Sequence, residues 1–249
     1  MPTANRILVP YHLDDHLPEL DVPPGPYRTV TAELTGDDVW SRMATLFEAV
    51  ADAVAATERP VVVSGDCTTA VGTMTGLRRA GLDPAVVWFD AHGDVQSLET
   101  TTSGYLGGIA LRLLCGYRPE LVADRLGLRP VPEDRVLLVD ARDLDPPEAE
   151  FLAGSAIRRA TVPGLAASDL PDGPIYLHVD LDVVDSAELP GLRFPAPGGP
   201  GQDAVAAAIQ RVLDTGRVCA FSVGCCWHPG RGAAAAIGDP LGTALTAWP

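Results

Sequence analysis

Residues 85–94 read Ala85-Val86-Val87-Trp88-Phe89-Asp90-Ala91-His92-Gly93-Asp94, an apolar run followed at once by polar side chains. The first five residues are rich in β-branched and aromatic side chains, which indicates a strand buried on both faces. The polar residues begin where that strand should end. Because ligands of open parallel α/β sheets bind outside the carboxyl ends of the strands, this stretch predicts both a fold class and a site.

Apolar runs of the same kind recur along the chain. We interpret them as further strands at residues 7–10, 61–63, 135–139, 175–179 and 218–223. Helices are predicted at residues 39–57, 68–80 and 202–214, and a Gly/Ala-rich helix is predicted at the C-terminus. Apolar strands alternating with helices are typical of an α/β fold, in which helices cover both faces of a parallel sheet. We expect a single domain over residues 1–249.

The composition excludes several functional classes. The chain has 18 basic residues, all of them Arg, against 33 acidic residues, so its formal net charge is −15. Such an acidic chain lacks the basic surface of proteins that bind nucleic acids or anionic membranes. Without Lys, Schiff-base chemistry and a phosphate-binding loop lysine are excluded. We therefore expect a small-molecule partner, with no nucleic acid and no membrane.

The N-terminal residues and the cysteines indicate in which cellular compartment the protein acts. No basic stretch followed by an apolar run opens the sequence, and no apolar run reaches the ~18 residues of a membrane span. The five cysteines are an odd number without the spacing of a disulfide framework. We expect a reduced, cytoplasmic protein whose cysteines are core residues or ligands.

Acidic and metal-binding side chains follow four of the predicted strands. They are Asp66-Cys67, Asp90-Ala91-His92-Gly93-Asp94, Asp143-Leu144-Asp145 and Asp180-Leu181-Asp182. In an extended segment, residues two apart point to the same side, so each group can present its ligands together. Close-set carboxylates resist joint ionisation without a cation, and oxygen ligands with imidazole suit Mn²⁺. One or two ions are predicted; the alternative is that each Asp is a turn or helix-capping residue.

Three motifs carry a resemblance to a known family. They are Ser64-Gly65-Asp66-Cys67-Thr68, Trp88-Phe89-Asp90-Ala91-His92-Gly93-Asp94 and His178-Val179-Asp180-Leu181-Asp182-Val183-Val184-Asp185. In order and spacing they resemble the signature motifs of the arginase/agmatinase (ureohydrolase) family. The resemblance implies a three-layer α/β/α fold with a central, mostly parallel sheet. It also implies a dinuclear Mn²⁺ centre whose hydroxide attacks a guanidino carbon.

The resemblance also implies roles for individual residues. Metal ligation is expected from Cys67, Asp90, His92, Asp94, Asp180 and Asp182. Asp94 is expected to orient the hydroxide and accept its proton. Gln96, Thr101 and Ser103 lie in a segment similar to the family's carboxylate-binding loop, and Asp145 matches a residue that binds the α-amino group. Together they predict an α-amino-acid substrate rather than agmatine, although a plain polar loop is an alternative for residues 100–104.

Three positions depart from the family pattern. Cys67 stands where the family has a His ligand, and Gly107 stands where it has the His that protonates the leaving amine. Cys225 or Cys226 stands where a Glu usually faces the guanidinium. Thiolate is a softer ligand than imidazole and suits Mn²⁺ less well, so one metal is expected to bind weakly or to differ.

These departures predict a change of substrate. A hydroxyguanidine is less basic than a guanidine and can bind as the neutral form, so it needs neither a carboxylate partner nor strong acid help. We therefore expect hydrolysis of Nω-hydroxy-L-arginine to L-ornithine and hydroxyurea, as in the branch of the family that resembles this chain and serves D-cycloserine biosynthesis. The acid role is predicted for His178 or His228, and the alternative is that both are non-catalytic histidines whose hydrogen bonds are satisfied.

Other functions stay open from the sequence. One is an arginase or another guanidino-compound hydrolase, and a second is a catalytically silent binding homologue. The oligomeric state is also open, and a homo-oligomer is compatible with the resemblance because family members are often trimers or hexamers.

Overall fold

The computed structural model of the protein describes residues 5–246 and residue 248. Within this part of the chain the strands are β1 (Arg6–Val9), β2 (Tyr11–His12), β3 (Asp15–His16), β4 (Arg28–Thr29), β5 (Val61–Ser64), β6 (Ala85–Asp90), β7 (Val136–Asp140), β8 (Arg158–Ala160), β9 (Ile175–Asp180) and β10 (Val218–Gly224). Strands β2 and β3 form a small antiparallel hairpin. The other strands form one parallel sheet in the order β4-β1-β5-β10-β9-β6-β7-β8.

Helices cover both faces of this sheet. They are α1 (Val39–Ala55), α2 (Ala70–Arg79), α3 (Ala110–Leu114), α4 (Ala123–Leu126), α5 (Pro146–Gly154), α6 (Gln202–Leu213), α7 (Ala233–Ala236) and α8 (Leu241–Thr246). Helices α1 to α5 pack into one apolar core and α6 to α8 into a second. Successive strand residues alternate between the two cores: Val62 faces the first, and Val61 and Val63 face the second. The predicted three-layer α/β/α fold is confirmed.

The predicted strands match observed strands to within one or two residues, and the first and third predicted helices do so as well. The second begins as a short 3-10 turn, Cys67–Thr69, before α2. The expected C-terminal helix is wrong, because Gly238 and Pro240 interrupt it and two short helices form instead. The edge strands β4 and β8 were not predicted, since two or three residues rich in Arg give no apolar run.

Chain crossovers bring distant segments together at the middle of the sheet. Strand β10 lies between β5 and β9, and β6 lies on the far side of β9. At the carboxyl edge Gly224 pairs in register with both Ser64 and Asp180. The segments that follow these four strands therefore meet above one edge. Among the described residues, no helix combines the length and apolar character needed to cross a membrane.

Candidate active site

An open pocket of about 660 Å³ lies at this carboxyl edge. Nine of the predicted site residues line it: Cys67, His92, Asp94, Gln96, Thr101, Ser103, Asp145, Asp180 and Asp182. Asp90 and His178 are buried behind the lining. Side chains from four strand ends, far apart in sequence, are thus gathered in one place, as the sheet order requires.

One side of the pocket floor is built from Asp90, His92 and Asp182, which we call the oxygen side. Nδ1 of His92 lies 3.1 Å from Oδ2 of Asp182 and 3.4 Å from Oδ1 of Asp90. The indole N–H of Trp88 donates to Oδ2 of Asp90 at 3.1 Å, and the backbone N–H of Ala91 donates to Oδ1 of Asp182 at 3.3 Å. One ligand atom from each of the three residues lies within 4.8 Å of the others.

A proton on His92 compensates part of the negative charge on the oxygen side. Burial lowers the pKa of His92, but hydrogen bonds with Asp182 and Asp90 outweigh burial and raise it to about 12. Burial and the charge of Asp90 raise the pKa of Asp182 to about 6. The imidazolium therefore occupies the position of a cation between two carboxylates. Two carboxylates and an imidazole are a donor set that suits Mn²⁺, so these residues fit the metal that the sequence predicts.

Asp94 supplies an unpaired buried oxygen beside this group. Its backbone is left-handed, with φ 52°, and the residue is only 6% exposed. Oδ2 has no hydrogen-bond partner among the described residues. Burial and the charges of Asp90 and Asp180 raise the pKa of Asp94 well above its ordinary value. A buried acceptor left unpaired costs about 1–3 kcal/mol, so this oxygen is poised for a ligand or a water proton.

The other side of the floor is built from Cys67, Asp180 and Cys226, which we call the thiol side. The Sγ atoms of Cys67 and Cys226 each lie 2.8 Å from Oδ2 of Asp180. Of the two adjacent cysteines, the structure brings Cys226 to the pocket and leaves Cys225 in the apolar core. Burial raises the pKa of the Cys67 thiol well above its ordinary value. Two sulfurs and one carboxylate are a poor donor set for Mn²⁺.

Neither histidine expected to act as the acid lines the pocket. Nδ1 of His178 lies 2.7 Å from Oγ of Ser222, Nε2 lies 3.2 Å from Sγ of Cys67, and the ring stacks on Trp88. Burial lowers the pKa of His178 to about 3, so the ring is neutral. His228 is exposed and does not line the pocket. This placement does not support the predicted acid role, and His178 instead orients Cys67.

The predicted substrate-binding residues gather at another part of the pocket wall. Nε2 of Gln96 donates to Oδ2 of Asp145 at 2.7 Å, so the amide and the carboxylate are adjacent. The carboxylate oxygens of Glu148 accept N–H bonds from Val95 and Asp145, each at 3.2 Å. These bonds join the segment after β6 to the start of α5.

The loop of residues 101–105 forms the rim beside this pair. The hydroxyls of Thr101 and Ser103 accept the backbone N–H groups of Gly104 and Tyr105, at 3.1 and 3.2 Å. The two hydroxyl oxygens also lie 3.4 Å apart, so one can donate to the other while the second keeps its proton free to donate to an anion.

Tyr105 fills the space above Gly107, where the family has a histidine. A Cβ placed on Gly107 would lie 2.3 Å from the Tyr105 hydroxyl oxygen. The Tyr105 ring lies 4.3 Å from the ring of Phe194 and 5.5 Å from that of His12, measured between centroids. Burial raises the pKa of Tyr105 well above its ordinary value, so the phenol stays protonated.

Sequence reasoning missed four residues of the lining: Tyr105, Gly108, Glu148 and Phe194. It left Cys225 and Cys226 as alternatives, and Cys226 is the one that lines the pocket. The empty position at Gly107 was a usable signal for Tyr105, because a missing side chain leaves room for a neighbour. Phe194, 38% exposed, comes from the loop between β9 and α6, and no periodicity marks it.

Comparisons with known proteins agree with the motifs. The sequence model of the arginase family matches residues 14–226. An N(omega)-hydroxy-L-arginine amidinohydrolase of Streptomyces lavendulae is 30% identical over 176 residues, which are 66% of this chain and 62% of that protein. An arginase of Bacillus subtilis (strain 168) is 29% identical over 174 residues, 63% of this chain and 57% of that protein. The matched part is thus about three fifths of these relatives' length.

Solved structures share the fold. The arginase of Entamoeba histolytica in complex with L-ornithine has a TM-score of 0.77 at 17% identity and covers 96% of this chain and 94% of its own. The proclavaminate amidino hydrolase of Streptomyces clavuligerus has a TM-score of 0.66 at 20% identity, covering 96% and 90%. With a family match that spans most of its 249 residues, the chain belongs to the arginase family.

Proposed function

We propose that the protein is an amidinohydrolase that converts Nω-hydroxy-L-arginine and water to L-ornithine and hydroxyurea. In this reaction water adds to the guanidino carbon, the bond from that carbon to the δ-nitrogen breaks, and the nitrogen leaves with a proton as the amine of ornithine. Family membership supports hydrolysis of a guanidino compound. The choice of substrate rests on the residues of the pocket.

The observation that carries the proposal is the contact between Gln96 and Asp145 in the pocket that also holds the buried carboxylates. An α-amino acid bears an ammonium and a carboxylate on one carbon, so its two partners must be neighbours. Asp145 can bind the ammonium, while the Gln96 amide and the Thr101 and Ser103 hydroxyls can bind the carboxylate. The guanidino group of such a substrate then extends toward the pocket floor.

Residues of the pocket floor can activate the attacking water. Asp90, His92 and Asp182 would hold Mn²⁺, which would supply the Lewis-acid chemistry that lowers the pKa of the attacking water. Asp94 can orient the attacking water, because its buried Oδ2 has no other partner in the described chain. The same oxygen can accept the proton, since its pKa is raised by burial.

The end of the pocket that receives the guanidino group favours a hydroxylated substrate. Cys226 presents a protonated, neutral thiol, whereas a cationic guanidinium is better matched by a carboxylate. A hydroxyguanidine is less basic and can bind uncharged. Tyr105, whose phenol fills the space above Gly107, can donate a hydrogen bond to the leaving nitrogen.

Product analysis tests this proposal. Purified protein loaded with Mn²⁺ and given Nω-hydroxy-L-arginine is expected to form ornithine and hydroxyurea in equal amounts. The control is Asp94→Asn at the same Mn²⁺ content, which should form neither above about one hundredth of the native rate. A native sample with full metal and no product contradicts the proposal and favours a silent binding homologue.

Arginine hydrolysis is the second candidate. The pair formed by Gln96 and Asp145 suits arginine as well as its hydroxylated form, and the arginase of Bacillus subtilis is similar to the chain to nearly the same degree. Urea in place of hydroxyurea, from a sample given both substrates, would identify this function.

We also propose that the chain acts as one domain in a reducing, cytoplasmic compartment. All five cysteines are free thiols, which fits that compartment. A homo-oligomer and a place in D-cycloserine biosynthesis stay predictions.

A further inference from the structure

The thiol side of the floor has a geometry that simple packing does not require. Two thiols converge on a single carboxylate oxygen, each at 2.8 Å from Oδ2 of Asp180, and the two sulfurs are 3.9 Å apart. Cys67, Asp180 and Cys226 are all at most 4% exposed, yet all three line the pocket. Their ligand atoms lie within 4.8 Å of one another.

The backbone holds this convergence in place. Gly224, at the end of β10, pairs in register with Ser64 and Asp180 on the two flanking strands. A Cβ on Gly224 would lie 3.2 Å from Sγ of Cys67, so the absent side chain leaves room for the sulfur. The N–H of Cys225 donates to the carbonyl of Ser64 at 2.8 Å, which fixes the chain one residue before the second thiol.

Two further carboxylates lie near Cys67. Ligand atoms of Cys67, Asp90 and Asp94 also lie within 4.8 Å of one another. A cation beside Cys67 can therefore take two sulfurs and one oxygen from Asp180, with further carboxylate oxygens near Cys67.

The chemistry of this set differs from that of the oxygen side. Thiolates are soft ligands that select Zn²⁺ and similar cations, whereas carboxylates and imidazole suit Mn²⁺. Two sulfurs and one carboxylate oxygen fill three positions of a tetrahedral Zn²⁺ site and leave the fourth for water or substrate. The residues of the thiol side thus do not fit the Mn²⁺ that the family implies at both positions.

We propose that Cys67, Asp180 and Cys226 form a subsite for a thiophilic divalent cation of the Zn²⁺ class, distinct from the Mn²⁺ site of the oxygen side. The centre then holds two chemically different cations. The inference does not depend on turnover. Cys226 would bind this cation as a thiolate, so the substrate preference argued from its neutral thiol applies to protein loaded with Mn²⁺ alone.

Cys225 shows what a packing cysteine looks like in this chain. It is fully buried in the second apolar core, and its side chain is not part of a candidate ligand group among the described residues. Cys226, the next residue, points to a carboxylate instead. The adjacent pair therefore offers a matched control for the role of one thiol.

Cobalt spectroscopy tests the proposal without an activity assay. Metal-free, reduced protein is titrated with Co²⁺, and sulfur-to-cobalt charge-transfer absorption is recorded in the near ultraviolet. Zn²⁺ or Mn²⁺ is then added as competitor. The variants are Cys67→Ser, Cys226→Ser and the control Cys225→Ser, each checked for folding by thermal melting.

We expect a charge-transfer band that saturates at one Co²⁺ per chain and is displaced by Zn²⁺ but not by equimolar Mn²⁺. Cys67→Ser and Cys226→Ser should each weaken Co²⁺ binding at this subsite by about tenfold or more, while Cys225→Ser keeps the band. No band in native protein, or a band unchanged in Cys226→Ser, overturns the proposal.

The experiments distinguish failure of the metal subsite from failure of the proposed function. A thiolate band without hydrolysis of hydroxyarginine keeps the subsite and removes the proposed function. Hydrolysis by protein loaded with Mn²⁺ alone, without a band for Co²⁺, keeps the function and removes the subsite. If a serine variant does not fold, alkylation of the native protein tests the subsite instead. Zn²⁺ should protect Cys67 and Cys226 from alkylation. Equal labelling with and without Zn²⁺ contradicts the proposal.

Discussion

The oxygen side and the thiol side of the pocket floor lie at neighbouring strand ends, yet the charge of their buried carboxylates is compensated differently. On the oxygen side the imidazolium of His92 lies between two carboxylates, with its pKa raised to about 12 by their hydrogen bonds against the effect of burial. On the thiol side Asp180 accepts hydrogen bonds from two thiols, and burial raises its pKa well above the ordinary value. One side carries charges that are partly compensated, and the other is largely neutral.

This difference teaches how a family site can change without losing its fold. The sheet fixes where the side chains meet, because strand order and register determine which strand ends are neighbours. The identity of the ligand at each end then selects the cation. With thiols at Cys67 and Cys226, the chain keeps the fold that it shares with solved arginases.

The largest expected effect comes from Asp94, which borders both sides. Asp94→Asn keeps the size of the side chain but removes the proton acceptor, so we expect kcat to fall by about 10²- to 10⁴-fold. Steady-state kinetics with hydroxyarginine measure the change. Mn²⁺ content measured on the same sample should stay near the native value. Native-like kcat would remove Asp94 from proton transfer.

Asp145→Asn should weaken substrate binding and leave metal binding on both sides of the floor unchanged. The amide can still pair with Gln96 but no longer attracts an ammonium, so KM for hydroxyarginine should rise by about 10- to 100-fold. The metal content and the cobalt band should not move. An unchanged KM would mean that the amino group binds elsewhere.

Tyr105→Phe probes the aromatic wall above the floor. The ring still fills the space over Gly107, but the hydroxyl no longer donates a hydrogen bond. Loss of one such bond in the transition state should lower kcat by about tenfold and leave KM nearly unchanged. A rise in KM with constant kcat would instead give Tyr105 a role in binding alone.

Cys67→His should make the thiol side more like the oxygen side. Imidazole suits Mn²⁺ better than thiolate does, so Mn²⁺ affinity at the second position should rise by about threefold or more. Mass spectrometry of dialysed samples measures the stoichiometry. The control Cys67→Ser removes the sulfur without adding imidazole, and its Mn²⁺ content should not increase.

The smallest expected effect is on the stability of the metal-free protein. The pKa of Asp182 is raised from 3.8 to about 6 by burial and the Asp90 charge. Its stabilising contribution is therefore present below 3.8 and lost as pH rises through 6. The contribution of His92 is full below 6.5 and is lost as pH rises through about 12, since its pKa is raised to about 12. Burial lowers the pKa of His178 to about 3, so its contribution instead grows as pH rises to 6.5 and offsets part of this loss. Tm in the presence of chelator should therefore fall by only about 1–3 °C between pH 5 and pH 7.5.

Added Mn²⁺ provides the control for that melting experiment. A cation replaces the proton between the carboxylates, so Mn²⁺ should raise Tm more at pH 7.5 than at pH 5. A Tm in chelator that is higher at pH 7.5 than at pH 5 would contradict the assigned sign.

The sequence was sufficient for the sheet and for most of the pocket lining. Buried parallel strands such as β6 and β9 consist of continuous apolar runs, and the carboxylates at the ends of these strands indicate the position of the site. Metal ligation by these residues and substrate binding by Gln96 and Asp145 remain predictions, although the structure brings all of them together.

The sequence could not predict which side chains point into the pocket, because that depends on how distant segments of the chain pack together. Cys225 and Cys226 are adjacent, and only the path of the chain after β10 decides which one faces Asp180. The same limit applies to His178, which follows the alternation of β9 yet points behind Cys67 rather than into the pocket. Tyr105 fills the position above Gly107 by folding back over its own loop, which no spacing rule describes.

The most direct test of the central claim is the ratio of kcat/KM for Nω-hydroxy-L-arginine to kcat/KM for L-arginine, measured on one sample whose Mn²⁺ and Zn²⁺ contents are counted. A ratio of about ten or more is expected, because the less basic substrate suits a floor with a neutral thiol at Cys226. A ratio at or below one, on a sample with metal bound, would contradict the account.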